Sequence, residues 1–483
     1  MTNTNGKVAK LSFFDVTSLV IGAIIGADIY VASSFGAKSL GPFSLVVWVI
    51  AGIIALVIAL CFAECASLVP KVGGPYAYAR KAWGPFAGFM VGWSLWFAEW
   101  ISLAVFPIAF TRYVMFLIPN LSFCWQVLIK ALFVTFLAAT NIIGVKAAGR
   151  TNDVLTVLKL APLVFFAVTG VAWMALNLGV VSANFTPFAP YGLNGFGGTL
   201  ILIFWAYAGF ELSTIPAEEI DKPTKTIPRA IVLGIALVIV FYLTTNTVLF
   251  GVRNWTLLAT DTAPLSAATT SMLSSNALLA AGAGSLVTVG ALISISGSDE
   301  SGMIGTTRLS FALAADGLFP KVFAKIHPKF NTPYASILVV SVTAFAASLI
   351  GNLGLLISVS VFFLAIAYLA TCASIFWFRK GDLMPVEQRM KRHLVIPALG
   401  ILFSVYLIVQ CTPPQIAIGG ILLAVGVPIY IWYSPRKELT ELKNQLLSPR
   451  ETQKKIHDQE HVFIAHAFCH LKNAYRKLRH RQS

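Results

Sequence analysis

Apolar runs of about 20 residues recur along nearly the whole sequence, and each is long enough to cross a bilayer as a helix. Only 11% of the 483 residues are charged, whereas soluble proteins carry about 25% charged residues. We therefore predict an all-α polytopic membrane protein with twelve transmembrane helices. The predicted spans cover residues 13–35, 43–66, 86–117, 123–143, 150–176, 196–219, 229–251, 276–312, 333–350, 354–378, 394–411 and 414–433.

Lysine and arginine residues are concentrated in alternate loops between these spans. With the N-terminus inside, basic residues such as Arg80 and Arg379 fall on the cytoplasmic side, and the outer loops hold little beyond Lys38 and Arg253. This asymmetry follows the positive-inside rule and predicts that both termini are cytoplasmic; we place the protein in the plasma membrane. The net charge of +15 reflects this topology and contact with anionic membrane lipid, and does not indicate nucleic acid binding.

Two predicted spans combine glycine with a carboxylate near mid-membrane depth. The first contains "IGAIIGADIY" at 21–30, and the sixth contains "FWAYAGFE" at 204–211. Broken helices at matching positions of two halves are typical of a transporter's central site, because freed backbone amides and carbonyls become ligands. The alternative is that Gly22 and Gly26 form a GxxxG packing face. The matching feature in the sixth span, five spans later, favours broken helices.

Four segments of the sequence resemble motifs of the amino acid–polyamine–organocation superfamily. "GAIIGADIY" is similar to the first-span GxxIGxGIF pattern, and "ECASLVPKVGGPYAYARKAWGPFAGFMVGW" resembles the passage from the second span into the third. "FWAYAGFELSTIPAEEIDKPTKTIPRAI" resembles the sixth span with its following loop, and "TRLSFALAADGLFPKVFAKIHPKFNTPYAS" the loop after the eighth span. The resemblance covers residues 11 to 435.

Membership of this superfamily implies the leucine-transporter fold, in which ten helices form an inverted five-plus-five repeat. It also implies alternating-access transport of amino acids or amines, with the small-molecule substrate bound between the two halves. The implied organisation is a cytoplasmic N-terminus at 1–12, a ten-helix transport core at 13–380, peripheral helices 11 and 12 at 381–433, and a basic cytoplasmic tail at 434–483.

The resemblance also implies which residues bind the substrate. The unwound centre of the first span would meet the substrate's carboxylate at a positive helix end. Carbonyl groups of the sixth span would accept hydrogen bonds from its ammonium group. Trp205 matches a gate aromatic of the family, and the alternative is an ordinary aromatic of the membrane core. The residues expected to bind substrate in this way are Gly22, Ala23, Gly26, Ala27, Trp205, Ala206, Ala208 and Ser298.

Carboxylates around the predicted cavity indicate which substrate charge is preferred. Asp28 stands where the family usually has a small residue, and Glu99 in the third span matches a side-chain-pocket position. The eighth span adds Asp299 and Glu300, which point about 100° apart on a helix. A carboxylate favours an ammonium or guanidinium group, so we predict a preference for cationic amino acids, with amines or polyamines as the alternative. If Asp28 instead pairs with Lys159, it gives no preference for a positively charged substrate.

Proton coupling is predicted at Lys159 and Glu211. Lys159 falls where some proton-coupled members of the family carry a lysine beside the first-span break, in the space that sodium fills in sodium-coupled relatives. Loss of its proton would remove a charge from the break and let the helices move. Glu211 fits a carboxylate common in the family and is the predicted gate residue. The alternative is that Lys159 is a fixed cation paired with Asp28 or Glu300.

Other classes of function fit the sequence less well. An enzyme is excluded because the chain has no metal-ligand cluster, nucleophile elbow or P-loop, and we predict no metal and no cofactor. A channel requires rings of like residues, which two broken, charge-bearing helices do not supply. A nutrient sensor with a transporter body stays an alternative. Import, export and exchange share this fold, and the sequence gives no prediction of the oligomeric state.

Overall fold

The computed structural model describes residues 10–71, 73–144, 149–215, 217, 220–380, 394–435 and 438–439, except the side chains of 149–157 and 380. Within these ranges the chain is helical, apart from turns and one isolated β-bridge between Leu11 and Ile220. The described residues up to Tyr430 form one compact unit, and the few described residues from Ile431 onward belong to a second. The predicted N-terminal segment and the predicted basic tail lie almost wholly outside the described residues.

The helices are labelled in chain order. Two 3-10 turns that matter for the site, Trp205–Tyr207 and Phe210–Thr214, follow the ninth helix. The α-helices are α1 Phe13–Ile24, α2 Ala27–Leu40, α3 Ser44–Leu68, α4 Pro75–Trp83, α5 Pro85–Leu117, α6 Phe123–Ile143, α7 Gly149–Leu176, α8 Leu178–Asn184, α9 Phe196–Phe204, α10 Pro223–Val252, α11 Trp255–Leu258, α12 Pro264–Met272, α13 Ala277–Ala315, α14 Tyr334–Ile350, α15 Leu353–Lys380, α16 Val395–Gln410 and α17 Pro413–Tyr433.

Nine helical stretches in the described ranges are long and apolar enough to cross a membrane. The first, Phe13–Leu68, contains α1, α2 and α3, and the shorter apolar helices α14 and α16 add to these stretches. Apolar side chains on the outside, such as Phe136, Val168 and Val240, are 62%, 64% and 64% exposed, as expected where the surrounding solvent is lipid. The chain is therefore a multi-pass helical membrane protein, and the number of twelve spans stays a prediction.

The start of α1 is fixed by a capping box. The Ser12 hydroxyl accepts a hydrogen bond from the Asp15 N–H at 3.3 Å, and the Asp15 carboxylate accepts one from the Ser12 N–H at 2.7 Å. The predicted start of the first span at residue 13 is confirmed. Beyond this cap, α1 packs against α7, α10 and α13, and α2 packs against α9, so the first span lies at the centre of the helices.

Candidate functional site

The first span is interrupted between α1 and α2. Ile25 is extended, with φ −78° and ψ 101°, and Gly26 has φ −147° and ψ −138°. A Cβ atom on Gly26 would lie 2.4 Å from the Ser298 hydroxyl oxygen. Only glycine therefore lets α13 approach the break this closely. The predicted interruption of the first span is confirmed.

This interruption is shorter than the sequence predicts. The resemblance implies an unwound centre that includes Gly22, Ala23, Gly26 and Ala27, but α1 is helical through Ile24 and α2 begins at Ala27. The last turn of α1 persists since Ile25 donates its N–H to the Ile21 carbonyl oxygen at 2.9 Å. The torsional break is thus confined to two residues.

The sixth span is interrupted after α9. The 3-10 turn Trp205–Tyr207 leads into Ala208, which is extended, and then into Gly209 with φ +116°, a conformation that favours glycine. A Cβ atom on Gly209 would lie 2.8 Å from the carbonyl oxygen of Ala23. The two breaks therefore touch each other, and the predicted interruption of the sixth span is confirmed.

Four side chains from α7, α10 and α13 lie against four successive carbonyl oxygens at the first break. The end of a helix leaves carbonyl groups without intrahelical partners, and these side chains supply donors for them. The donor–acceptor pairs are Lys159 Nζ to Gly22 at 2.8 Å, Ser298 Oγ to Ala23 at 3.0 Å, Tyr242 Oη to Ile24 at 3.2 Å and Ser294 Oγ to Ile25 at 3.4 Å.

A small cavity of about 40 Å³ lies between the two breaks. Seven of the residues predicted to form the site line it: Ala23, Asp28, Glu99, Trp205, Ala208, Glu211 and Ser298. The other lining residues are Ile24, Ser102, Leu103, Phe106, Gly209, Leu212, Gly302 and Leu364. The structure thus brings together residues from the first, third, sixth and eighth predicted spans.

Other predicted residues lie beside the cavity and do not line it. Lys159 reaches the break through the Gly22 carbonyl, and no direct ion pair joins it to Asp28 among the described residues. Asp299 is 1% exposed, and its Oδ1 has no hydrogen-bond partner in the described part of the chain. Gly22, Gly26, Ala27, Ala206 and Glu300 are likewise absent from the cavity lining that the structure describes.

Glu99 and Glu211 form a pair of carboxyl groups at the cavity. Both oxygens of Glu211 lie 3.0 Å from the Gly209 N–H nitrogen, and Oε2 accepts a further hydrogen bond from the Tyr368 hydroxyl at 2.9 Å. Glu99 lines the same cavity and brings a second carboxyl group from α5.

Asp28 is held over the start of α2. Its Oδ2 accepts a hydrogen bond from the Tyr242 hydroxyl at 2.9 Å, and the residue lies in the first turn of α2. Its side chain is buried, with 4% of the residue exposed. A carboxylate at a helix N-terminus is favourably placed, because the free N–H groups and the helix dipole are positive there.

Sequence reasoning did not identify several hydroxyl groups that shape the site. Tyr242 and Ser294 contact the first break, and Tyr368 contacts Glu211. Ser102 accepts a hydrogen bond from Trp205 Nε1 at 3.1 Å and thereby fixes the indole ring beside the cavity. Hydroxyl groups inside apolar spans are the signal that could have pointed to them, but such residues are common in membrane helices.

A buried cavity between two broken helices of a multi-pass membrane protein is typical of a transport protein. Comparison with known families agrees with this class. The family model described as amino acid permease matches residues 11–432. The chain therefore belongs to the amino acid permease family, as its resemblance to the amino acid–polyamine–organocation superfamily predicts.

Curated relatives match most of the chain at moderate identity. The branched-chain amino acid permease BcaP of Bacillus subtilis (strain 168) is 29% identical over 444 residues, which are 88% of this chain and 93% of the relative. The methylthioribose transporter of the same organism is 28% identical over 446 residues, 89% of this chain and 94% of the relative. Cationic amino acid transporter 4 of Mus musculus is 28% identical over 395 residues, 77% of this chain and 60% of the relative.

Proposed function

We propose that this chain is a secondary active transporter that moves positively charged amino acids, or amines related to them, by alternating access coupled to protons. The proposal includes the leucine-transporter fold with twelve spans, a plasma-membrane location and cytoplasmic termini. The observation that carries it is the cavity between two touching helix breaks, which is lined by three carboxyl groups. Membership of the amino acid permease family supports the transport of amino acids or close analogues.

The charge of the cavity supports a cationic substrate. Asp28, Glu99 and Glu211 line it, and no lysine or arginine does so among the described residues. An ammonium or guanidinium group can make charge-assisted hydrogen bonds there, whereas a second acidic group would be repelled. The similarity to cationic amino acid transporter 4 is consistent with this preference.

The position of Lys159 supports proton coupling. Its ammonium group donates to the Gly22 carbonyl oxygen at 2.8 Å and so links α7 to the end of α1. A neutral amine would keep fewer donors and no charge, which would weaken this link. Proton release from Lys159 would then free α1 to move relative to α7. Glu211, which contacts both Gly209 and Tyr368, is the proposed second proton-linked residue.

Uptake into proteoliposomes tests the function directly. Purified full-length protein is supplied with labelled cationic, neutral and acidic amino acids and with amines, under a pH gradient and separately under a sodium gradient. We expect uptake of cationic substrates that is driven by the pH gradient and not by sodium. Specific binding of substrate without measurable flux would contradict transport and would favour a sensor.

Replacement of Lys159 tests the coupling. We expect Lys159→Ala to abolish acceleration of uptake by a pH gradient, while substrate exchange at equal pH on both sides is retained. Lys130→Ala is the matched control, because Lys130 is a second lysine in a span whose ammonium contacts the Ser348 carbonyl oxygen at 2.9 Å, away from the cavity. Uptake by Lys159→Ala that still follows the pH gradient would show that another group carries the proton.

A further inference from the structure

The start of α2 already holds an anion that belongs to the protein. Asp28 lies in the first turn of α2, and its Oδ1 lies 3.1 Å from where a Cβ atom on Gly26 would be. The Tyr242 hydroxyl lies 2.9 Å from the other carboxylate oxygen and holds the side chain in this position. The Asp28 carboxylate therefore lies at the positive end of the dipole of this helix.

The cavity offers a substrate carboxylate no other basic partner. Helix N-termini, lysine and arginine are the usual partners of a carboxylate in proteins. No lysine or arginine lines the described cavity, and the ammonium group of Lys159 contacts the Gly22 carbonyl at its edge. A carboxylate-bearing substrate would have to approach Asp28, Glu99 and Glu211 without compensation.

The lining of the same cavity includes groups that attract a cation. Three carboxyl groups face it, and the rings of Trp205 and Phe106 line it with their centroids 6.0 Å apart. The Ser102 hydroxyl fixes the Trp205 indole by accepting its Nε1–H. Aromatic faces attract ammonium and guanidinium groups, most strongly where water is excluded.

We propose that the substrate is an amine without an α-carboxylate, and that the Asp28 carboxylate occupies the place a substrate carboxylate would need. This inference rests on the proposed function, because it names the substrate class of that same cavity. It separates amines from the amino acids that carry the same side chain. Like charges placed together in a binding site lower affinity strongly, so we expect roughly tenfold or larger discrimination in favour of the amine.

Matched pairs of substrates test this discrimination. Agmatine is compared with arginine, and cadaverine with lysine, because the members of each pair differ by one carboxylate. Competition against a labelled amine in proteoliposomes gives relative affinities. Stabilisation of the purified protein against heat gives a second measurement that needs no transport, since a ligand of the native state raises its stability. Each amine should compete more strongly than the matching amino acid and should raise the thermal stability of the protein more.

Two variants of Asp28 identify the residue responsible. Asp28→Gly removes the carboxylate and exposes the start of α2, so amine uptake should fall and arginine uptake should rise until the preference is lost or reversed. Asp28→Asn keeps the size of the side chain and removes its charge, and it should lower the preference for the amine without reversing it. The conservative variant keeps the test valid if the glycine variant does not fold.

The outcomes separate this inference from the proposed function. Uptake of arginine and lysine at least as strong as that of their amines would overturn the inference and leave a cationic transporter in place. An amine preference that persists in both variants would also overturn it, because Asp28 would not be its cause. Uptake of neutral substrates alone would overturn the proposed cationic preference together with the inference. Amine preference that depends on Asp28 supports both.

Discussion

The hydroxyl group of Tyr242 lies between the Ile24 carbonyl group and the Asp28 carboxylate at the first break. It is 3.2 Å from the Ile24 carbonyl oxygen and 2.9 Å from Asp28 Oδ2. A hydrogen bond to a charged group contributes about 1.5–3 kcal/mol. If Asp28 binds the substrate, Tyr242→Phe should therefore raise the KM for a cationic substrate about tenfold, since tenfold corresponds to about 1.4 kcal/mol.

Initial uptake rates in proteoliposomes measure this effect. Tyr113→Phe is the matched control, because it removes another buried hydroxyl, which contacts the Tyr30 carbonyl oxygen at 3.0 Å and does not line the cavity. We expect the control to keep the wild-type KM. Equal KM values for the two variants would mean that Tyr242 does not position Asp28 for substrate.

At the residue scale, the sequence predicts the acidic groups better than their partners. Asp28, Glu99 and Glu211 are conspicuous because a carboxylate in an apolar span is energetically costly and therefore rare. All three line the cavity. Tyr242 and Ser294 are not conspicuous, because a hydroxyl group in a membrane helix is common. Their roles depend on which helices are neighbours, and one sequence does not give that information.

The two helix breaks can be tested as elements through Gly209. Its φ of +116° and its approach to the Ala23 carbonyl oxygen both exclude a Cβ atom without strain. Backbone strain of this kind costs about 1–3 kcal/mol. We expect Gly209→Ala to lower the thermal stability of the purified protein and to abolish transport, because the two breaks can no longer touch.

Gly198→Ala is the matched control within the same span. Gly198 lies in α9, and a Cβ atom there would meet no other atom within 4 Å. Alanine also favours helix over glycine by about 1 kcal/mol. The control should therefore keep both thermal stability and uptake. If Gly209→Ala keeps the wild-type thermal stability, the contact between the two helix breaks is not required for a stable fold.

At the scale of elements, glycine spacing predicts where the helices break but not how long each break is. The break in the first span spans only Ile25 and Gly26, because the last helical turn of α1 keeps its backbone hydrogen bond. The sixth span differs, since 3-10 turns replace the α-helix after Phe204. These lengths depend on contacts with α7, α10 and α13, which local sequence does not contain.

At the scale of the whole molecule, hydropathy predicts the helical membrane class because the bilayer allows few alternatives for an apolar chain. The pairing of distant helices is less predictable. The C-terminal ends of α3 and α15, for example, are joined by Glu64 and Arg379, which are 315 positions apart in sequence. The sequence identifies Glu64 as a carboxylate within a span but does not identify its partner.

This ion pair allows a test of how strongly the contact between α3 and α15 stabilises the protein. The Nε and Nη2 groups of Arg379 donate to the two oxygens of Glu64, each at 2.9 Å, and the side chains are only 8% and 11% exposed. Removal of one partner from a buried pair costs about 3–5 kcal/mol, because the other charge stays buried without compensation. We expect Arg379→Gln to lower thermal stability strongly.

A second ion pair in the same molecule is the comparison. Arg80 and Asp316 lie 2.9 Å apart, but their side chains are 33% and 45% exposed, and exposed pairs contribute about 0–1 kcal/mol. Arg80→Gln should therefore shift the melting temperature much less than Arg379→Gln. Adding Glu64→Gln to Arg379→Gln should restore much of the lost stability, because neither charge then stays buried alone. Equal shifts for the two single variants would contradict a role for the buried pair in joining α3 to α15.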